Sequence, residues 1–185
     1  MNLLDKNVQH FIKEYKGATT DLLLKKPMFD GLTNKELTQQ IEGRRTATKK
    51  LPFLLVKENV LFPPTLNLEQ TSSEATAQYK AQNLQGERFL DLTCGFGIDA
   101  FFLSKKFKEV TLVEQNEELL SKVEHNWQLL ERKATFINGT AEDFLKATTV
   151  HYNLIYLDPA RRDTLKQKKF LIEDLSPNIL ELQSV

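Results

Sequence analysis

The stretch FLDLTCGFGIDAFFL, residues 89–103, constrains this chain more than any other. An apolar run ends on an acid, Asp91, passes through Gly95 and Gly97, and resumes as an apolar run. That is the pattern of a buried strand feeding a helix across a tight turn whose backbone can approach a small molecule closely. Apolar strand-like runs then alternate with helical ones. RFLDL, EVTLVE, ATFIN and YNLIYLD read as strands, with DAFFLSKKF and EELLSKVEHNWQLLERK between the first three. This alternation predicts parallel strands joined by right-handed helical crossovers, hence an α/β sheet over residues 71–185.

Residues 1–70 read as a separate, mostly helical domain. Leu4, Val8, Phe11, Ile12 and Tyr15 recur at helical spacing ahead of Gly17. A second helix is predicted over DGLTNKELTQQIEG, opened by a capping box of Thr33 and Glu36 and closed by Gly43. FLLVKENVLF reads as a short hairpin before the Pro63-Pro64 break. TSSEATAQYKAQNLQG reads as a helix capped by Thr71 and Glu74 and closed at Gly86.

Charged residues make up 27% of the chain and hydrophobic ones 41%, enough apolar material for a core. Lys plus Arg number 25, as do Asp plus Glu, so no overall basic field announces nucleic acid; a local patch has to carry that argument. The lone Cys94 excludes a disulfide framework and a cysteine zinc site. His10, His125 and His151 lie far apart, and no metal is assigned. Nothing at the N-terminus has the apolar continuity of a signal peptide or membrane span, so the expected compartment is the cytoplasm.

Two kinds of ligand suit the glycine turn. Gly95, Gly97 and Ala100 fit the dinucleotide spacing G-x-G-x-x-G/A, with Glu114 placed for ribose hydroxyls. A dinucleotide, however, brings its pyrophosphate to the turn, where Asp91 and Asp99 would oppose it. S-adenosylmethionine carries no phosphate. Its ammonium and sulfonium are cationic, and they account for the nearby carboxylates.

On these residues the chain resembles the class I S-adenosylmethionine-dependent methyltransferases, over about residues 89–162. LDLTCGFGIDA is similar to their first motif, Glu114 at the end of VTLVE to their ribose-binding acid, and YLDPARR occupies the place of their fourth motif. The pattern D-x-T-x-G-x-G-x-D-A resembles that of ribosomal RNA guanine-N2 methyltransferases. KKLPFLL, LFPPTLNLEQTSSEATAQYKA and LDPARR resemble RNA methyltransferases that carry a THUMP-like domain after the catalytic one.

The resemblance implies a Rossmann-like sheet and S-adenosylmethionine as cofactor. It implies donor contacts from Asp91, Gly95, Gly97, Asp99 and Glu114, with Gln115 flanking the adenine. EQTSSE is expected near the donor pocket, with Thr71 as a helix cap the simpler alternative. In NGTAEDFL the family often has an Asp before the alanine, where this chain has Thr140. Ala141 can still offer its amide, and Glu142 or Asp143 can accept from the adenine amino group. For Glu114 and Glu142 the plain alternative is a solvated acid at the end of a strand or the start of a helix.

Loops after the first and fourth strands should face one another across the ligand crevice. The second of these is DPARR. Enzymes that methylate exocyclic amines of bases commonly use Asp/Asn-Pro-Pro-aromatic here. The acid and a loop carbonyl orient the amine, and catalysis is largely positioning. Asp158 and Pro159 remain, while Ala160 and Arg161 replace the second proline and the aromatic residue. Arg161 and Arg162 suit contacts to RNA, either rRNA or tRNA, by phosphate binding or guanidinium stacking, and Lys166, Lys168 and Lys169 extend the basic run.

Some uracil-C5 enzymes have a similar Asp-Pro-Pro-Arg loop, but they need a separate nucleophilic cysteine; Cys94 lies in the donor loop, the wrong place for that role, and methylation at carbon is rejected on this reading. Other readings are a nucleotide- or RNA-binding module without activity and, third, a NAD-binding oxidoreductase domain. After the fourth strand only residues 159–185 remain, fewer than such a sheet ordinarily needs for completion. The expectation is an N-terminal part of a longer protein, with the fourth strand at an edge.

Overall fold

The computed structural model describes residues 2–159 and 176–182. Four parallel strands form one sheet in the order β3-β2-β1-β4, with β1 Gly86–Asp91, β2 Phe107–Glu114, β3 Thr135–Asn138 and β4 Leu154–Tyr156. The chain moves outward from β1 through β2 to β3, then returns to the other side of β1. That reversal opens the crevice at the carboxyl ends of β1 and β4.

Ahead of the sheet run α1 Lys6–Glu14, α2 Thr19–Leu23, α3 Asn34–Lys50, α4 Thr65–Gln70 and α5 Glu74–Lys80. Between and after the strands come α6 Ile98–Leu103, α7 Glu117–Leu129, α8 Ala141–Ala147 and α9 Ile179–Leu182. No helix among the described residues is long and apolar enough to cross a membrane.

The apolar spacing of α1 buries Val8 and Ile12 against Leu22, Leu32, Leu37 and Ile41, a cluster separate from the main core. The main core joins Phe89, Phe107, Val110 and Leu112 of the sheet to α6 and α7, and it also takes in Ala47, Leu51, Leu54, Phe62 and Leu68 from upstream. Thr33 and Glu36 do form the predicted capping box: each satisfies an amide at the start of α3.

Three expectations fail for packing reasons. Helix α3 does not stop at Gly43 but runs on to Lys50. Gly43 is buried against Phe62, where a Cβ would lie 2.2 Å from the Phe62 Cβ, so the glycine marks a close approach and not a helix end. FLLVKENVLF is no hairpin. Pro52–Val56 form a 3-10 helix, and the following segment gives its backbone groups to side chains instead of a partner strand. Gln40 bonds both the N–H and the carbonyl of Phe62, at 2.8 and 2.9 Å, and Asn126 does the same for Leu61 at 2.9 and 2.8 Å. Finally, α5 is capped by Ser73 and not Thr71, which ends α4, and it stops at Lys80 well before Gly86. Glu74 is drawn away from a capping box because its Oε2 accepts from the Phe53 N–H at 3.1 Å.

Candidate donor and acceptor cleft

Beyond Asp91 the backbone splays between two strands. Leu92 N–H donates to the Tyr156 carbonyl of β4 at 3.1 Å, and Cys94 N–H to the Val113 carbonyl of β2 at 3.0 Å. Gly95 and Gly97 follow with φ of 55° and 72°, in the region L side chains disfavour. Gly97 is needed for space as well: a Cβ there would meet Val123 Cγ1 at 2.7 Å, under α7. The turn delivers Asp99 into the first turn of α6.

A cleft of about 810 Å3 opens over this turn, a size typical of small-molecule sites. Its described lining includes the carboxylates of Asp91, Asp99, Glu114, Glu142 and Asp158, and no Lys, Arg or His. Gly95, Gln115, Ala141 and Pro159 line it too, so the predicted positions from four strand ends come together in one place. Gly97 lies in the turn behind that wall. Arg161 and Arg162 lie outside the described residues.

The acids are held differently. Glu114 Oε2 accepts from the Gly95 N–H and Oε1 from the Asn116 N–H, each at 2.9 Å. Each oxygen keeps a lone pair for a further donor, which suits a vicinal diol. Asp91 is 1% exposed and accepts from the Thr93 N–H at 2.8 Å. Burial pushes its pKa up to about 7, with the charges of Asp99 and Glu114 adding to the rise and the Thr93 amide opposing it. Asp99 accepts from Ser72 Oγ at 2.9 Å and pairs with Lys80 at 3.1 Å.

Of the two acids offered for the adenine amino group, Asp143 is occupied, since Thr140 caps α8 by accepting from the Asp143 N–H and donates to its carboxylate at 2.8 Å. Glu142 lines the cleft. Cys94 is buried, and burial first, then Asp91 and Glu114, raise its thiol well above the ordinary range, which disfavours the nucleophilic thiolate.

Several contributors escaped the sequence reading. Thr93 ties the two loops together: its Oγ1 accepts from the Asp158 N–H at 2.7 Å while its own amide holds Asp91. The D-x-T pattern within the first motif carried that signal. Asn67 lines the cleft from upstream, as does Tyr156 from β4. Gln70 and Thr71, in the EQTSSE stretch expected near the donor pocket, line it as well.

A pyrophosphate would meet these carboxylates with no basic side chain among the described lining to balance it. A cationic adenosyl ligand fits the same donor set. The residues therefore fit S-adenosylmethionine, whose cationic groups the carboxylates can balance.

Comparison with known proteins agrees with this chemistry. An RNA methyltransferase of Mycoplasma mobile, described as uncharacterized, is 28% identical over 185 residues, covering 96% of this chain and 48% of its own length. The 23S rRNA (uracil(747)-C(5))-methyltransferase of Pyrococcus horikoshii is 34% identical over 96 residues, 52% of this chain and 22% of that protein. A crystal structure from Porphyromonas gingivalis W83, provisionally assigned as a methyltransferase, superposes with a TM-score of 0.78 at 28% identity, covering 96% of this chain and 45% of that one. The chain thus spans about half the length of the Mycoplasma relative. A family profile matches residues 54–180, from the 3-10 helix to α9, and on that match the chain belongs to the family described as Conserved hypothetical protein 95.

Proposed function

We propose that this chain carries the donor-binding region and the fourth-motif loop of an S-adenosylmethionine-dependent RNA methyltransferase. The observation that carries the reading is the cleft of carboxylates without a basic side chain among its described lining, set over a glycine turn at the reversal of strand order. The Mycoplasma and Pyrococcus relatives, both RNA methyltransferases by name, support RNA as acceptor. So does the resemblance of the upstream stretches to enzymes with a THUMP-like domain. We take rRNA or tRNA as the substrate and the cytoplasm as the compartment, and residues 1–70 and 71–185 as the helical and donor-binding parts.

When bound, S-adenosylmethionine supplies a methyl group already activated by its sulfonium leaving group. The chain's part is to bind, orient and exclude. Glu114 accepts from the ribose hydroxyls; Asp91 and Asp99 hold the cationic end; Gln115, Ala141 and Glu142 flank the adenine. Asp158, fixed through Thr93, accepts an N–H of the exocyclic amine beside Pro159, so that the amine lone pair faces the donor. Arg161 and Arg162 contact the RNA.

A second reading is methylation at a uracil carbon, favoured by the similarity to the Pyrococcus enzyme. Its nucleophile would have to come from elsewhere, since Cys94 is buried with a raised thiol pKa. The test is transfer of a tritiated methyl group from S-adenosylmethionine to unmodified ribosomal and transfer RNA, followed by nucleoside analysis. The expected product is an N-methylated base, with transfer lost in Asp158→Ala while S-adenosylhomocysteine still binds. A C5-methylated uridine would replace the amine reading with the second one. Absence of donor binding would overturn both.

A further inference from the structure

The upstream helix α5 reaches the β4 side of the cleft through one side chain. Lys80 Nζ donates to the Tyr156 hydroxyl and to Ser72 Oγ, each at 3.0 Å, and pairs with Asp99 at 3.1 Å. Three segments meet there: α5, the first turn of α6 and the end of β4. Tyr156 is the register partner of Asp91, and in a parallel pair the two side chains stand on the same face of the sheet. Tyr156, Asp91 and Asp99 all line the cleft, whereas Lys80 stands behind them.

Sheet order fixes which end of a ligand arrives at this cluster. Glu114 closes β2, and Ala141 and Glu142 follow β3, so the ribose and adenine contacts occupy the β2–β3 side. Two strand spacings, roughly 10 Å, separate β2 from β4. The amino-acid end of an adenosyl ligand therefore falls over β1 and β4. That end is a zwitterion, and the cluster offers matching groups: carboxylates for its ammonium and the Tyr156 hydroxyl for its carboxylate. Because the Tyr156 oxygen accepts from Lys80, its own proton is left to donate elsewhere. Burial, reinforced by Asp99 and Asp158 and opposed by Lys80, pushes the Tyr156 pKa up to about 12, so that proton stays on through the working pH range.

Resting on the donor reading above, we infer that Lys80 is the positioning residue for the amino-acid end of the ligand, holding Tyr156 as a hydrogen-bond donor and Asp99 as an acceptor on either side of it. Burial draws the Lys80 pKa down, but its bonds to Tyr156 and Asp99 outweigh that and raise it, so the clamp remains charged.

The test compares two probes by calorimetry: S-adenosylhomocysteine and 5′-methylthioadenosine, an adenosyl thioether that lacks the amino-acid group. Tyr156→Phe and Lys80→Met should each weaken S-adenosylhomocysteine by about tenfold while changing 5′-methylthioadenosine less than about twofold, with Lys80→Arg restoring most of the loss. Circular dichroism of each variant accompanies the titrations, and Tyr156→Phe, which removes one hydroxyl oxygen, serves if Lys80→Met unfolds. Equal losses for both probes, or no loss for either, would overturn the inference and leave the donor reading standing. A folded wild-type chain that binds neither probe would overturn both.

Discussion

The two acids that end neighbouring strands, Glu114 on β2 and Asp91 on β1, share a cleft and differ in what holds them. Glu114 takes one backbone amide on each oxygen, whereas Asp91 is buried with the Thr93 amide and hydroxyl at one oxygen. The β2 side is thus a fixed hydrogen-bonding frame, and the β1 side is a place where charge is costly until a cation arrives. On the proposed reading, one wall sets geometry and the other selects for positive charge.

The largest effect expected from this contrast is on stability. Folding raises the Asp91 pKa from 3.8 to about 7, so the folded chain holds that proton more tightly than the unfolded one. Stability therefore falls as pH rises from about 4 to about 7, and above that the full cost, on the order of 4 kcal/mol, is present. Asp91→Asn should unfold at higher denaturant concentration than wild type at about pH 8, with the gap shrinking toward about pH 5. A variant less stable than wild type at the higher pH would show that Asp91 is stabilised in its charged form.

Next comes Glu114→Ala, which removes the proposed diol acceptor and leaves the Gly95 and Asn116 amides without their partner. A loss of about 100-fold in S-adenosylhomocysteine affinity is expected by calorimetry at about pH 8, where Asp91 is ionised with or without the Glu114 charge. A loss below about threefold at that pH would place the ribose hydroxyls elsewhere.

Wild-type affinity should in contrast rise about tenfold from about pH 6 to about pH 8, as Asp91 ionises to meet the ligand's cation, and Asp91→Asn should flatten that profile. A flat wild-type profile would place the cation elsewhere.

The smallest effect concerns Cys94, which sits between the walls and whose thiol is raised by burial and by both acids. Iodoacetamide at about pH 8 should leave it unmodified until the chain unfolds. Alkylation at the rate of a free thiol would show that the turn opens.

How legible was this molecule in its sequence? The β-strands and the glycine turn were, because period, strand length and the run of Asp91, Gly95 and Gly97 are local signals. The four strand-end positions of the cleft followed once the strands were placed. Gly43 misled because the same residue serves a helix end or a close approach, and Phe62, far along the chain, decides between them. The hairpin failed because the backbone partners of Leu61 and Phe62 are Asn126 and Gln40, on α7 and α3. The network of Lys80, Ser72, Asp99 and Tyr156 was invisible for the same reason, since it joins three segments that only the folded core brings together.

Selection of a cationic adenosyl ligand over a pyrophosphate is tested most directly by titrating the same preparation, side by side, with S-adenosylhomocysteine and with nicotinamide adenine dinucleotide. Saturable binding of the first at one site per chain and no measurable heat from the second are expected. Binding of the dinucleotide without S-adenosylhomocysteine would contradict that selection, and Asp91 and Asp99 would then need another explanation.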